Sequence, residues 1–358
     1  MKTQLKLGAL TLSALLLASC STIDNFNPFS GGGNDDVDTV DRAGRIAMVS
    51  AVTELEPDPA LVATAIILPD ALRVDSWSQS GRVPSKVTGH VAGGTELEVE
   101  WRWTRGEGAD RNHALTVSPV AANGRIFVLD SHQTVHAIDA ETGRSLWDVE
   151  LESDHSRDSR AFGGGLAVAG DKLIVSSGFG FVAALDAATG SEIWHRATEA
   201  PITGSPSVLG ERIFIVSNNN EFFAMSLETG EIQWTDQAIA ETARVLSSPS
   251  PAAVDDVVVT PYSSGEVIAY LPANGRRLWT DSLTRAGRFT PISAINDIAS
   301  RPVLNAGLVY ASSQSGVLAA IDGRSGTRVW ELPFGTTQAP VISGEFLFAV
   351  GVNGQLIC

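Results

Sequence analysis

Two cysteines, Cys20 and Cys358, are all that 358 residues provide, so a disulfide framework is excluded and stability has to come from packing. Basic charge is scarce too: 25 lysines and arginines face 41 aspartates and glutamates, a formal charge of -16. No basic run interrupts that surplus. An acidic surface repels phosphates and anionic lipid heads, which excludes an electrostatic footprint for nucleic acid. Leu7 to Leu17 is apolar but too short to span a bilayer comfortably. Catalytic signatures are missing as well. No Gly-x-Ser-x-Gly elbow occurs, and Gly163-Gly164-Gly165 and Gly178-Phe179-Gly180 open no helix and lack a Lys-Ser/Thr partner, so they read as tight turns rather than phosphate cradles. His132 and His136 lie four apart across strands or a turn with no third ligand nearby, so no zinc site is predicted. Asp35-Asp36 and Asp255-Asp256 lack the further oxygens that calcium needs and read as solvated. Asp154-His155-Ser156-Arg157-Asp158 reads as an exposed charged loop rather than a catalytic pair.

What the chain does have is glycine, 34 of them, and a repeat. Five times an alanine is followed ten residues later by a tryptophan, with a glycine four before the tryptophan: Ala137, Gly143, Trp147; Ala184, Gly190, Trp194; Ala224, Gly230, Trp234; Ala269, Gly275, Trp279; Ala320, Gly326, Trp330. The tryptophans are 47, 40, 45 and 51 residues apart, the period of a four-stranded propeller blade rather than of a helical hairpin. Within the first repeat, Leu115 to Ala121, Arg125 to Leu129, Val135 to Ile138 and Ser145 to Leu151 read as strands, separated by Asn123-Gly124, Ser131-His132 and Glu141-Thr142-Gly143. The alanine is expected to admit a close neighbour and the tryptophan to fill the space between blades. Ser118-Pro119, Ser205-Pro206 and Ser248-Pro249 mark strand starts.

Upstream, Leu97 to Thr104 alternates toward Trp101 and predicts a strand that completes the last blade of a closed ring. Residues Ser21 to about Asp41 are polar, with Gly31-Gly32-Gly33 and three aspartates, and read as a tether. Asp41 to Leu55 reads as a short helix or a strand pair, ended by Pro57 and Pro59. The predicted organisation is a leader over 1–19, a tether over 20–76 and a propeller over 77–358. After Trp330 a sixth unit begins, and the sequence reaches Cys358 in its third strand before another alanine, glycine and tryptophan arrive. About five and a half blades are therefore expected, as in a fragment of a longer chain.

Leu17-Ala18-Ser19-Cys20, behind Lys2, Lys6 and the apolar stretch, resembles a bacterial lipobox. That resemblance implies cleavage before Cys20, diacylation of its thiol and acylation of the new amino terminus. Such an anchor suffices for stable membrane attachment. Without the leader the balance is 23 basic against 41 acidic residues, or -18. Ser21 stands where an inner-membrane retention aspartate would be, which implies the periplasmic face of the outer membrane.

The Ala-x-Asp-x-x-Thr-Gly-x-x-x-Trp repeat resembles that of pyrroloquinoline-quinone-like propellers. Taken with the lipobox, the tether, Trp77-Ser78-Gln79, Glu100-Trp101-Arg102 to Gly106-Glu107-Gly108, and Phe162-Gly163-Gly164-Gly165, it resembles the scaffold lipoproteins of the outer-membrane β-barrel assembly complex, which are eight-bladed propellers. The resemblance implies a non-enzymatic role and no cofactor. It also implies binding to the barrel protein BamA through loops on one face between the third and fifth blades, and presentation of unfolded barrel strands. Those loops correspond to Ala243-Arg244-Val245-Leu246-Ser247 and Asn296-Asp297-Ile298-Ala299, making Arg244, Leu246 and Asp297 the partner-binding candidates; Ala299 replaces a second acid. The rival reading is a quinone-dependent dehydrogenase on the same fold, whose vicinal cysteine pair and calcium-ligand cluster this sequence lacks; a third is an envelope adaptor for other partners.

Overall fold

Apolar runs of five or six residues, closed by turns that need left-handed backbone, give this chain its sheets. In the first hairpin Asn123 and Gly124 both have positive φ, 54° and 70°, the geometry that matches the twist of the flanking strands. The computed structural model describes residues 55–61, 64–94, 96, 98–111, 113–153, 161–240, 249–284 and 297–358. The leader, Cys20, the tether before residue 55, the 154–158 insertion, Arg244 and Leu246 lie outside the described residues.

Among the described residues all regular structure is strand, arranged as five four-stranded antiparallel sheets and one of three strands. Blade one is Val120–Ala122, Arg125–Leu129, Thr134–Asp139 and Ser145–Glu150. In blades two to five the first and last strands are Gly164–Ala169 and Glu192–Ala197, Ser207–Leu209 and Ile232–Gln237, Ala252–Val254 and Arg277–Ser282, and Val303–Asn305 and Arg328–Leu332. Blade six holds Val341–Ser343, Phe346–Val350 and Leu356–Ile357.

Both faces of a blade are buried, which explains continuous apolar runs in place of strict alternation. Leu166, Leu173, Val175 and Phe181 of blade two pack on Phe127, Leu129 and Val135 of blade one. The intervening Ala167, Ile174 and Val182 pack on Ile213, Ile215 and Phe223 of blade three. The core is thus a series of layers between consecutive blades.

The ten-residue offset of the repeat is a cross-strand register. Each alanine lies directly opposite its tryptophan on the third and fourth strands, and the register shifts immediately after the alanine in all five blades. The bulge re-aims the tryptophan toward the next blade. There its indole N–H donates to a turn carbonyl: Trp147 to Ala187, Trp194 to Leu227, Trp234 to Pro272 and Trp279 to Gly323, at 2.8 to 3.4 Å. The ring covers the repeat glycine of that blade. A Cβ on Gly190, Gly230, Gly275 or Gly326 would come within 2.5 to 2.8 Å of the preceding tryptophan, and all four have φ between 68° and 78°. Glycine is required twice over, by its backbone and by its neighbour. Aspartate closes three of the turns: Asp139, Asp186 and Asp322 accept from the N–H and hydroxyl of Thr142, Thr189 and Ser325, which holds each carboxyl below its ordinary pKa.

Trp101 makes the same contact on blade one without the predicted strand. Residues 98–104 form none and pair with no strand among the described residues. Yet the Trp101 indole donates to Ala140 O at 3.2 Å, and a Cβ on Gly143 would meet its ring at 2.6 Å. The glycine triplet also differs from expectation. Gly178 and Gly180 do form a turn, but Gly164 and Gly165 lie inside the first strand of blade two, where a Cβ would meet Ser176 O and Ser205 Cα, each at 2.3 Å. Backbone approach, not chain reversal, demands them.

The first strands of neighbouring blades would each present an unpaired inner edge, and one segment covers five of them. Trp77 exchanges both backbone hydrogen bonds with Ala121 of blade one, at 2.7 and 2.9 Å. Ser78 O accepts from Val168 of blade two at 2.6 Å, Pro84 O from Ala253 of blade four at 2.9 Å and Ser85 O from Leu304 of blade five at 2.8 Å. Gln79 serves blade three with its side chain, accepting from Val208 N at 3.1 Å and Ser207 Oγ at 3.2 Å and donating to Val208 O at 3.2 Å. Residues 77–86 therefore act as a clip across five blades. Lys86 at its end is 1% exposed, its ammonium 3.4 Å from Gln79 Oε1. Burial first, and the Arg301 guanidinium second, push its pKa well below the ordinary lysine value.

Candidate functional site

Strand order puts two kinds of loop on one face: the turn between the second and third strand of each blade, and the connection from each fourth strand to the next blade. They are tied in a repeating way. Leu151 N donates to Gln133 O, Thr198 N to Gly180 O, Ala238 N to Asn220 O and Leu283 N to Gly265 O, at 2.8 to 3.0 Å. The stretches 243–247 and 296–299, which the resemblance singles out for partner binding, both fall on connections of this kind. They join blade three to four and blade four to five.

Their roots are rigid. Ser263 Oγ of blade four donates to Asn220 Oδ1 of blade three at 3.0 Å, linking adjacent turns. Between the same blades the Tyr262 and Tyr270 hydroxyls lie 2.7 Å apart, Tyr270 donates to Asp236 Oδ2 at 2.7 Å, and Arg277 Nε donates to the same oxygen at 2.7 Å. Burial pushes both phenols far above the ordinary tyrosine range, so both remain donors. Arg328 repeats the bridge one blade on, donating to both oxygens of Asp281 at 2.7 and 3.0 Å. In each case an acid two residues after one repeat tryptophan meets an arginine two before the next. This pattern was readable in the sequence once blade neighbours were assigned.

Asp297 is at the root of the second loop, not at its tip. It is 3% exposed, its carbonyl accepts from Gln314 N at 3.5 Å, and Ile298 N donates to Tyr262 O at 3.4 Å. Ile298 and Ala299 are buried beside it. The structure thus seats Asp297 against the turns of blades four and five, while Arg244 and Leu246 lie outside the described residues.

Blade one carries the densest polar grouping. His136, 5% exposed, lies between Asp130 Oδ2 at 3.0 Å and Asp148 Oδ1 at 2.6 Å, with Trp103 edge-on at 4.8 Å. Burial alone would lower the imidazole pKa, but the two carboxylates outweigh it and raise it. Burial likewise works against Asp130, whose hydrogen bonds from His136 and from the N–H groups of Thr134, Glu107 and His132 nevertheless bring it down to about 2. His132 does not join His136: its ring packs on His113 at 4.3 Å, beside Asp110. A cleft of about 490 Å³ opens between blades four and five on the opposite face, and Asp256 and Arg324 are its only charged liners. It gathers no nucleophile with a base.

The profile of the family described as outer membrane protein assembly factor BamB matches residues 88–158 and 131–358. The protein of that name from Moranella endobia is 28% identical over 246 residues, 67% of this chain and 63% of that protein. Its counterpart from Yersinia pestis is 26% identical over 236 residues, 65% of this chain and 60% of that protein. The matched part thus spans less than two thirds of these relatives' length. The crystal structure of BamB from Moraxella catarrhalis superposes with a TM-score of 0.59 at 19% identity, covering 67% of this chain and 71% of that one. A quinohemoprotein alcohol dehydrogenase from Comamonas testosteroni reaches 0.60, also at 19% identity, over 74% of this chain and 50% of its own. At that identity both likenesses establish the fold alone.

Proposed function

This chain belongs to the family of the outer membrane protein assembly factor BamB, and from that premise we propose that it is a non-enzymatic scaffold of the β-barrel assembly machinery, held to the periplasmic face of the outer membrane by lipid on Cys20 and bound to BamA through loops at 243–247 and 296–299. What supports the reading is that the strand order sends the chain out of blades three and four on one face, with the Tyr262, Tyr270, Asp236 and Arg277 network joining those two blades. Rigid roots preorganise a loop for binding. Arg244 and Leu246 are the contact residues of the first loop, and Asp297 holds the base of the second. The fourth strands leave apolar side chains in solvent, Leu146 at 46%, Ile193 at 45%, Ile232 at 51% and Val329 at 58% exposed, on edges suited to unfolded barrel strands.

The test is photo-crosslinking in cells. A photoreactive residue at position 244 or 246 is expected to yield a BamA adduct, and one at Glu211, on a hairpin turn of the other face, none. Absence of any adduct with a barrel-assembly component from 244 and 246, in protein that is folded and membrane-bound, would overturn the proposal.

A further inference from the structure

Asp110, His113 and His132 lie outside the loops assigned to partner binding, and their chemistry is that of a metal centre. Each offers one donor atom, and the three atoms lie within 4.8 Å of one another. The vertex is Asp110: His113 Nδ1 is 2.9 Å from Oδ2, and His132 Nε2 is 3.9 Å from the same oxygen. Tetrahedral zinc, about 2.0–2.2 Å from nitrogen and oxygen ligands, sets its donors about 3.3 Å apart. Side-chain rotations that move the donors by at most ~1.5 Å would reach that geometry.

The backbone beneath the three is already fixed. Asp110 and His113 are bonded to each other, His113 N donating to Asp110 Oδ1 at 2.8 Å and Asp110 N to His113 O at 3.0 Å. His132 sits on the turn between the second and third strands of blade one, its N–H bonded to Asp130 Oδ1 at 2.9 Å. The segment before Asp110 is fastened to that turn. Glu107 N donates to Asp130 Oδ2 at 3.1 Å, and Ser131 Oγ donates to Gly108 O at 2.6 Å. The side chains are 50%, 17% and 45% exposed, so an ion can enter and keep water in its remaining positions.

The geometry points to a divalent transition-metal site, zinc foremost, with Asp110, His113 and His132 as ligands and solvent completing the shell. Two imidazoles and one carboxylate form a borderline nitrogen and oxygen set that favours zinc, cobalt or nickel over calcium or magnesium. Its effect is structural: the ion locks the 107–113 segment, downstream of Trp101 and Trp103, onto blade one.

The experiment uses the full chain with alkylated thiols, stripped with chelator, and titrates it with zinc chloride by calorimetry and with cobalt chloride by visible absorption. One saturable equivalent per chain is expected. Asp110→Asn, His113→Gln and His132→Gln should each weaken zinc at least tenfold, in line with removal of one ligand of three. His90→Gln with His195→Gln should leave it unchanged. A second readout is cleavage by trypsin after Arg111, which lies between two ligands and which zinc should slow at least tenfold in the parent chain but not in His132→Gln. No saturable binding, or binding that survives both His113→Gln and His132→Gln, would overturn the site; circular dichroism confirms that each variant is folded.

Discussion

Gly230→Ala isolates the contact that joins one blade to the next. Gly230 has a φ of +68°, and a Cβ built there lies 2.5 Å from Trp194 Cε3 and 2.8 Å from Cδ2. Left-handed backbone costs an alanine about 1–2 kcal/mol, and the restricted unfolded chain offsets about 0.4–1 of that. Trp194, 7% exposed and bonded through its indole to Leu227 O at 3.2 Å, has little room to retreat, so overpacking adds about 1–3 kcal/mol. The expected loss is about 1–5 kcal/mol. Gly210→Ala is the control: its φ is +57° and nothing stands within 4 Å of the new Cβ, leaving only the backbone part. Equilibrium urea unfolding followed by far-ultraviolet circular dichroism measures both. In a Trp194→Ala background the excess of Gly230→Ala over Gly210→Ala should vanish. Agreement of the two substitutions to within about 0.5 kcal/mol in the parent chain would mean that the ring contact carries no energy.

Three other outcomes follow from the polar interior. Gln79→Ala strips the buried Val208 N–H and C=O of their partners, about 1–3 kcal/mol for each group; a urea midpoint equal to the parent's would deny the clip any strength. Lys86, held well below the ordinary lysine value by burial and then by Arg301, binds its proton more weakly folded than unfolded, so stability should rise with pH up to about 10. Lys86→Met should abolish that slope, and a parent profile that is flat from about pH 8 to 10 would contradict it. His136 is raised above 6.5 because the Asp130 and Asp148 hydrogen bonds exceed the opposing effect of burial. Its contribution is therefore complete below the ordinary histidine pKa and lost as pH climbs through the raised value. A proton-resonance titration should find the midpoint above 6.5 and Asp148→Asn should lower it; a midpoint at or below 6.5 would refute the assignment.

The blades were legible because their signals are local and repeated. An alanine and a tryptophan ten apart, with a turn between, fall on the third and fourth strands of one blade, and the structure places every such pair face to face. Trp101 was half legible: its ring occupies the position that its sequence suggested, but a strand also needs a ladder partner. Gly164 and Gly165 looked like a turn because the approach of Ser176 and Ser205 leaves no mark near them in sequence. The clip had no period to betray it, since Trp77 to Lys86 occurs once and meets residues as distant as Leu304. In sequence the neighbour of His132 is His136, whereas folding gives it His113 and Asp110.

Arrays of similar repeats, each touching only its neighbours, ordinarily melt piecemeal from their ends. Residues 77–86 change that expectation, because one short strip is hydrogen-bonded to the inner strands of five blades at once. Losing any of those blades exposes part of the strip, and losing the strip weakens all five. A chain of nearest-neighbour couplings becomes a hub with spokes, and the five blades should unfold in a single cooperative step. The strip also precedes every blade in the sequence, so during synthesis it is already present when each inner strand emerges, and blades can be collected onto it in chain order.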